Sequence, residues 1–170
     1  MASGDPVEVW MRGPVEGIAP ALQPVAHSLL QVREEIERAT ADLTPDQLWA
    51  RPGGAGSIGF HLRHIAGATD RLLTYARDEA LTPAQLAQLK AEANPGDPPA
   101  DAAQTMAIAC EAIDRALAQV RGTDVATLFD ARGVGRAKLP TTVIGLLFHA
   151  AEHATRHAGQ MATMRKVVLG

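Results

Sequence analysis

The sequence predicts an all-α protein, a four-helix bundle with short extra helices in the connections. Three observations lead there. Four long segments carry apolar residues at alternating steps of three and four, the period of a helix buried on one side. Hydrophobic residues make up 46% of the 170-residue chain but aromatics only 4%, so the apolar content is mostly Ala, Leu, Val and Ile. That composition favours closely packed helices over sheets, which draw on aromatic and β-branched side chains. Finally, Thr-Pro pairs and Gly/Pro clusters punctuate the segments where helices must start or stop.

Residues 1–20 hold Pro6, Gly13, Pro14, Gly17 and Pro20 and read as an irregular arm, with Val9, Trp10, Met11 and Ile18 expected to lie against the body. The first long helix starts near Pro24 and buries Leu29, Val32, Ile36 and Ala39, with Leu43 beyond. Thr44-Pro45 is an N-cap followed by proline at the first helical position, opening a short turn over 46–49. After the Gly-rich loop 51–56, Ser57 caps the second long helix, expected to run to about Asp78. Its stripe is Ile58, His61, Ile65, Ala68, Leu72 and Tyr75, widened by Leu62, Leu73 and Ala76.

Thr82-Pro83 repeats the cap signal for a short helix from Pro83 to Ala93. The third long helix is expected from Pro99 or Ala100 to Val120, with Ala103, Met106, Cys110, Ile113 and Leu117 inward and Gly122 ending it. Residues 123–139 read as a loop with a short strand or a hairpin. The fourth helix is expected from Pro140-Thr141-Thr142 to about Val168, with Leu146, His149, His153, Gln160, Met164 and Val167 near one face. One domain over residues 1–170 is the natural count at this length.

Charge and cysteine content exclude several functions. Lys+Arg 16 against Asp+Glu 19 gives a net charge of −3 without basic clusters, so the electrostatic footprint of a nucleic-acid or anionic-membrane binder is missing. A single cysteine, Cys110, rules out an internal disulfide framework and any CxxC site. It lies in a helical core stripe and reads as a small buried hydrophobe. No signal peptide or apolar run of membrane-spanning length is evident, so a soluble cytoplasmic protein is the expectation.

The six histidines carry the functional information. His149, His153 and His157 stand at i, i+4 and i+8 in HAAEHATRH. Neighbours in that series are about 6 Å apart along the axis and nearly on one face, so both imidazoles can reach one ion at metal–nitrogen distances of about 2.0–2.1 Å. His149 and His157, about 12 Å apart, are too distant to share it easily. The pair is thus 149/153 or 153/157. A third ligand must come from another helix, where FHLRHI offers His61 and His64. Three neutral imidazoles on Zn²⁺, Ni²⁺ or a similar ion leave a position for water or substrate. His27, by contrast, reads as a hydrogen-bonded histidine that binds nothing.

Around them, Glu152 points about 100° away from His153 and is expected to pair with Arg156. Gln160 is either a hydrogen-bonding neighbour of the ligands or a packing residue. Gly159 is expected to permit close helix approach. Asp70 and Arg71, about two turns beyond His64, either face a cleft or belong to a solvated face, and the solvated face is the expectation.

The segments Ser57-Ile58-Gly59-Phe60-His61-Leu62-Arg63-His64-Ile65-Ala66-Gly67 and Glu152-His153-Ala154-Thr155-Arg156-His157-Ala158-Gly159-Gln160-Met161 resemble the two signature helices of the DinB/YfiT-like family. The stretches Trp10-Met11-Arg12-Gly13-Pro14 and Leu22-Gln23-Pro24-Val25-Ala26-His27 are similar to the N-terminal part of some members. The resemblance implies a metal-binding four-helix bundle with His64, His153 and His157 as ligands of a divalent transition metal, zinc or nickel foremost. His61 and His149 then exceed the triad, as pocket residues, proton shuttles or ordinary core and interface residues.

It further implies two functional possibilities. Relatives include thiol-dependent transferases and proteins described as metal-dependent hydrolases. The first possibility is therefore a metal-dependent enzyme acting on a small-molecule substrate, either a transferase that uses a low-molecular-weight thiol or a hydrolase that uses water. The second is a non-catalytic metal-binding or stress-response bundle acting through dimerisation. Relatives are commonly homodimers.

Overall fold

A computed structural model describes residues 7–170. Six α-helices follow one another: α1 (Gln23–Thr40), α2 (Pro45–Trp49), α3 (Ile58–Ala76), α4 (Pro83–Ala91), α5 (Ala102–Gly122) and α6 (Val143–Leu169). A two-stranded antiparallel hairpin, β1 (Ala131–Val134) and β2 (Leu139–Thr142), joins α5 to α6, with Gly133 opposite Pro140. Short 3-10 turns lie at Val9–Arg12, Pro20–Leu22, Pro52–Gly54 and Val125–Thr127. The long helices α1, α3, α5 and α6 form the predicted bundle. Each of α1 and α3 packs against both α5 and α6, so α1 lies diagonally across from α3.

The caps explain where the helices begin. Thr44 and Thr82 each form a capping box, with Gln47 and Gln85 returning the hydrogen bond. Ser57 accepts from the Phe60 amide at the start of α3. The Asp101 side chain accepts from the Gln104 amide, which moves the start of α5 two or three residues past the expected Pro99 or Ala100. Helix α3 stops at Ala76, short of the expected Asp78, whose φ of 61° lies in the left-handed region that helices do not propagate. Pro140 is in β2, not in the last helix; Thr142 caps α6 through the Gly145 amide.

The core is aliphatic. Its largest fully buried side chains include Leu29 and Ile36 of α1, Leu62 and Ile65 of α3, Ile113 of α5, and Leu147 and Met161 of α6. Three expected faces shift. In α6 the buried seam is Leu147, Ala150, Ala151, Ala154, Ala158 and Met161, whereas Gln160 and Val167 are exposed. The alanines, small and inconspicuous in the pattern, form the seam, and the more prominent residues sit on its flank. In α5, Thr105 and Ala109 are buried and Ala103 is exposed. In the arm, Val9 and Ile18 are buried but Trp10 and Met11 are 63% and 52% exposed. Residues 1–6, with Pro6, lie outside the described residues. Cys110 is buried, as expected.

Two glycines serve packing in opposite ways. A Cβ at Gly59 would lie 2.8 Å from the Trp49 ring. That indole is pinned by its Nε1 donating to the Ala100 carbonyl at 2.8 Å and by the Arg63 guanidinium 4.7 Å above it. Gly59 thus lets the connector sit on α3. Gly159, expected to permit close approach, is exposed and a Cβ there would meet nothing within 4 Å.

Opposite signs are therefore expected for the same substitution. Gly59→Ala gains about 1 kcal/mol of helix propensity but overpacks the indole by about 1–3 kcal/mol, so it destabilises on balance. Gly159→Ala gains up to about 1 kcal/mol with no steric cost. Urea unfolding midpoints of the two variants check this.

Candidate metal centre

Helix periodicity and bundle packing bring three imidazoles together where α3 faces α6. His153 and His157, one turn apart on α6, flank the alanine seam, and His64 meets them from α3. One ring nitrogen from each of His64, His153 and His157 lies within 4.8 Å of the others. His64 Nε2 is 2.9 Å from His153 Nε2. The His157 ring centroid is 4.6 Å from each of the other two. All three residues are half-buried, so the cluster keeps a solvent-facing side.

Hydrogen bonds assign the protons. The Glu92 carboxylate only accepts, so His64 donates to its Oε2 from Nδ1 at 2.7 Å. This leaves the Nε2 lone pair of His64 facing the cluster. Arg156 only donates, and its Nη2 is 3.1 Å from His153 Nδ1. The neutral His153 ring then carries its proton on Nε2 and shares it with His64 Nε2. Arg71 donates to the other Glu92 oxygen at 2.9 Å. A single chain of donors runs from Arg156 through His153 and His64 to Glu92.

Glu92 is the residue that sequence reasoning missed, and Arg71 the one it misplaced. Arg71 is 9% exposed and Glu92 3%, so this is a buried ion pair and not part of a solvated face. Asp70 is also engaged, accepting from Gln85 Nε2 of α4 at 2.6 Å. The available signal was Arg63, Gly67 and Arg71 at steps of four, a basic face with a gap in its middle. The end of α4 docks on that face. Arg63 donates to the Ala91 and Asn94 carbonyls, and a Cβ at Gly67 would lie 2.6 Å from both Arg71 Nη1 and Glu92 Oε1.

The remaining histidines separate cleanly. His61 is buried and adjoins the triad, its Nδ1 2.9 Å from His157 Nδ1. His149 is exposed and held by Glu152 Oε1 at 2.6 Å; its ring is outside the three-histidine group. Glu152 also makes the expected pair with Arg156, at 2.9 Å. His27 is half-buried and donates from Nε2 to the Gly13 carbonyl at 3.0 Å. Gln160, in neither of the expected roles, is exposed. With His61, Gly56, Arg156 and Met164, it lines a cleft of about 500 Å³ beside the triad. Phe60 stacks on His64 at 5.4 Å and 19°.

The electrostatics favour neutral imidazoles. Burial pushes His157 down to about 4, and the neighbouring His64, His153 and His61 add to the shift. Burial also lowers His153 and His61, with His64 contributing in each case. Burial alone would raise Glu92; the hydrogen bonds from His64 and Arg71 outweigh it and hold the carboxyl below its usual range.

The donor set fits a divalent transition metal on the chemistry of its atoms. It offers three convergent imidazoles, one of them oriented by a carboxylate on its far nitrogen. Among the described residues, no cysteine or carboxylate joins that group. No helix among them is long and apolar enough to cross a membrane.

No curated protein matches the chain. The sequence profile of the DinB superfamily matches residues 28–161, which takes in most of α1, the histidines of α3 and the pair on α6. With that match covering most of the chain and the bundle and histidine triad in place, the protein belongs to the DinB superfamily.

Proposed function

We propose that the protein is a metal-dependent enzyme. Its divalent ion, of the zinc or nickel class, is held by His64, His153 and His157. Its reaction joins a low-molecular-weight thiol, or water, to an electrophilic small molecule. The observation that carries this reading is the three-histidine group, with no fourth protein ligand among the described residues, next to a cleft lined by His61 and Arg156, which contact His157 and His153. Three protein ligands and an open position characterise catalytic sites, whereas structural sites are closed.

A bound ion would supply Lewis-acid chemistry, lowering the pKa of a coordinated thiol or water. The chain's own residues prepare for it. Glu92 keeps the proton of His64 on Nδ1, so Nε2 is a free donor. His153 would hold the ion through one ring nitrogen and keep its proton on the other, and Arg156 would retain Glu152, with which it pairs at 2.9 Å, as its partner. His61 supports the outer edge of His157 through their Nδ1 atoms. The cleft offers substrate an apolar wall at Met164 and polar groups at Arg156 and Gln160.

The second reading, a non-catalytic bundle acting through dimerisation, draws on exposed apolar side chains such as Phe129, Leu139 and Phe148. A homodimer is compatible with either reading.

Purified protein is expected to carry close to one divalent metal per chain. His64→Ala, His153→Ala and His157→Ala should each reduce binding by orders of magnitude, whereas His27→Ala and His149→Ala retain it; elemental analysis and chelator competition check this. On cobalt-substituted protein, a small thiol is expected to produce a near-ultraviolet sulfur-to-cobalt charge-transfer band. A site that takes up cobalt but shows no band at saturating thiol is closed, which favours the second reading.

Acid is expected to destabilise the metal-free protein. His157 titrates near 4 in the fold and near 6.5 when unfolded, so between those values the unfolded chain binds more protons. Stability therefore falls as pH drops from about 6.5 towards 4. The lowered His153 and His61 act in the same direction, and Glu92 adds its loss at still lower pH. Thermal melts of metal-free protein across this range check the sign, and His157→Gln should flatten the dependence.

A further inference from the structure

We propose that Glu92 is a positioning residue of the metal centre: it fixes the tautomer and orientation of His64, is itself held by Arg71, and is delivered by the α3–α5 connection and not by the bundle. The inference rests on the metal-site reading above and adds to it a residue from outside the four long helices.

Three observations carry it. The carboxylate is fully used, one oxygen on His64 Nδ1 at 2.7 Å and the other on Arg71 Nη1 at 2.9 Å. Its side chain is 4% exposed, that of Arg71 10%, and that of His64 21%. Burying a carboxylate is costly unless it is paired, so it is retained where its geometry matters. Space for it exists only because position 67 is glycine; any Cβ there would sit 2.6 Å from both Glu92 Oε1 and Arg71 Nη1.

The segment bearing it is otherwise lightly held. Helix α4 buries no residue of its own. It is tied to α3 by Gln85 on Asp70 and Thr74, and by Arg63 on the Ala91 and Asn94 carbonyls. Those polar ties bring a short, exposed helix to the one place where its following residue can reach a histidine.

Hydrogen bonding to the far nitrogen of a ligating imidazole sets which nitrogen is free and raises its basicity, and loss of such a partner costs about 10–100-fold in metal affinity. A residue that only filled space would do neither. Glu92→Gln keeps the volume but presents an amide N–H to either His64 Nδ1 or Arg71, so it breaks one of the two bonds.

The test uses metal-free and zinc-loaded full-length protein. Long-range ¹H–¹⁵N correlation of the imidazoles, with the His64 signals identified from His64→Gln, reads the tautomer in metal-free wild type. The Nδ1–H form is expected. In Glu92→Ala and Glu92→Gln the population should shift towards Nε2–H or a mixture, and zinc affinity by chelator competition should fall about 10–100-fold. Arg71→Met should give a smaller loss of the same kind. Wild-type His64 in the Nε2–H form overturns the inference, as do variants that bind zinc within twofold of wild type with an unchanged tautomer. Should the variants fail to fold, the wild-type tautomer alone decides. Absence of zinc binding by wild type counts against the proposed function, while the tautomer in metal-free protein still judges the role of Glu92.

Discussion

The packing of α6 against both α1 and α3 governs the rest of the molecule. The buried seam of α6 is built mainly from Ala150, Ala151, Ala154 and Ala158. Interaxial distance depends on the size of the side chains at the contact, and alanine keeps it short. Imidazoles on the flanks of α6 and α3 meet across this contact. Larger aliphatic residues, Leu147 and Met161, close the seam on either side of the histidine pair. The aromatic-poor composition is thus a condition of the site as well as of the fold.

Polar groups near the cluster divide by depth. Glu92, Arg71 and His61 are buried and each contacts a partner that orients it. Arg156, Glu152 and His149 form a solvent-facing network on the next turns of α6. The buried group can hold geometry, because its members have few alternative partners. The outer group can exchange partners at little cost, since exposed ion pairs contribute about 0–1 kcal/mol. The proposed function, in which ring nitrogens face an ion and small molecules enter from outside, needs both kinds of environment.

The connections carry more of the site than their length implies. The loop before α3 brings Gly56 to within Cβ contact distance of the His61 ring, so a side chain there would press on it at 3.0 Å. The α3–α5 connection brings Glu92 to His64. Because α1 and α3 are diagonal in the bundle, the chain between them must cross its end, and Trp49 secures that crossing on Gly59 and Ala100.

The sequence by itself determined the four long helices, the caps at Thr44, Ser57 and Thr82, the HxxxH pair on the last long helix and a partner histidine on the second. These follow from local chemistry: a 3.6-residue period, side-chain oxygens that accept from the first free amides, and prolines that tolerate only the first turn. The resemblance to DinB-like signature helices narrowed the triad to His64, His153 and His157. Spacing alone left 149/153 and 153/157 equal, because His149 and His157 are symmetric about His153 on a helix. The tertiary structure separates them physically, by placing His61 and His64 beside His157 and leaving His149 towards solvent with Glu152. Glu92 was not legible at all. It follows a short exposed helix, carries no period, and lies 28 residues from His64. Its role arises where a chain end docks on Arg63, Gly67 and Arg71, a contact between distant segments that no local pattern encodes.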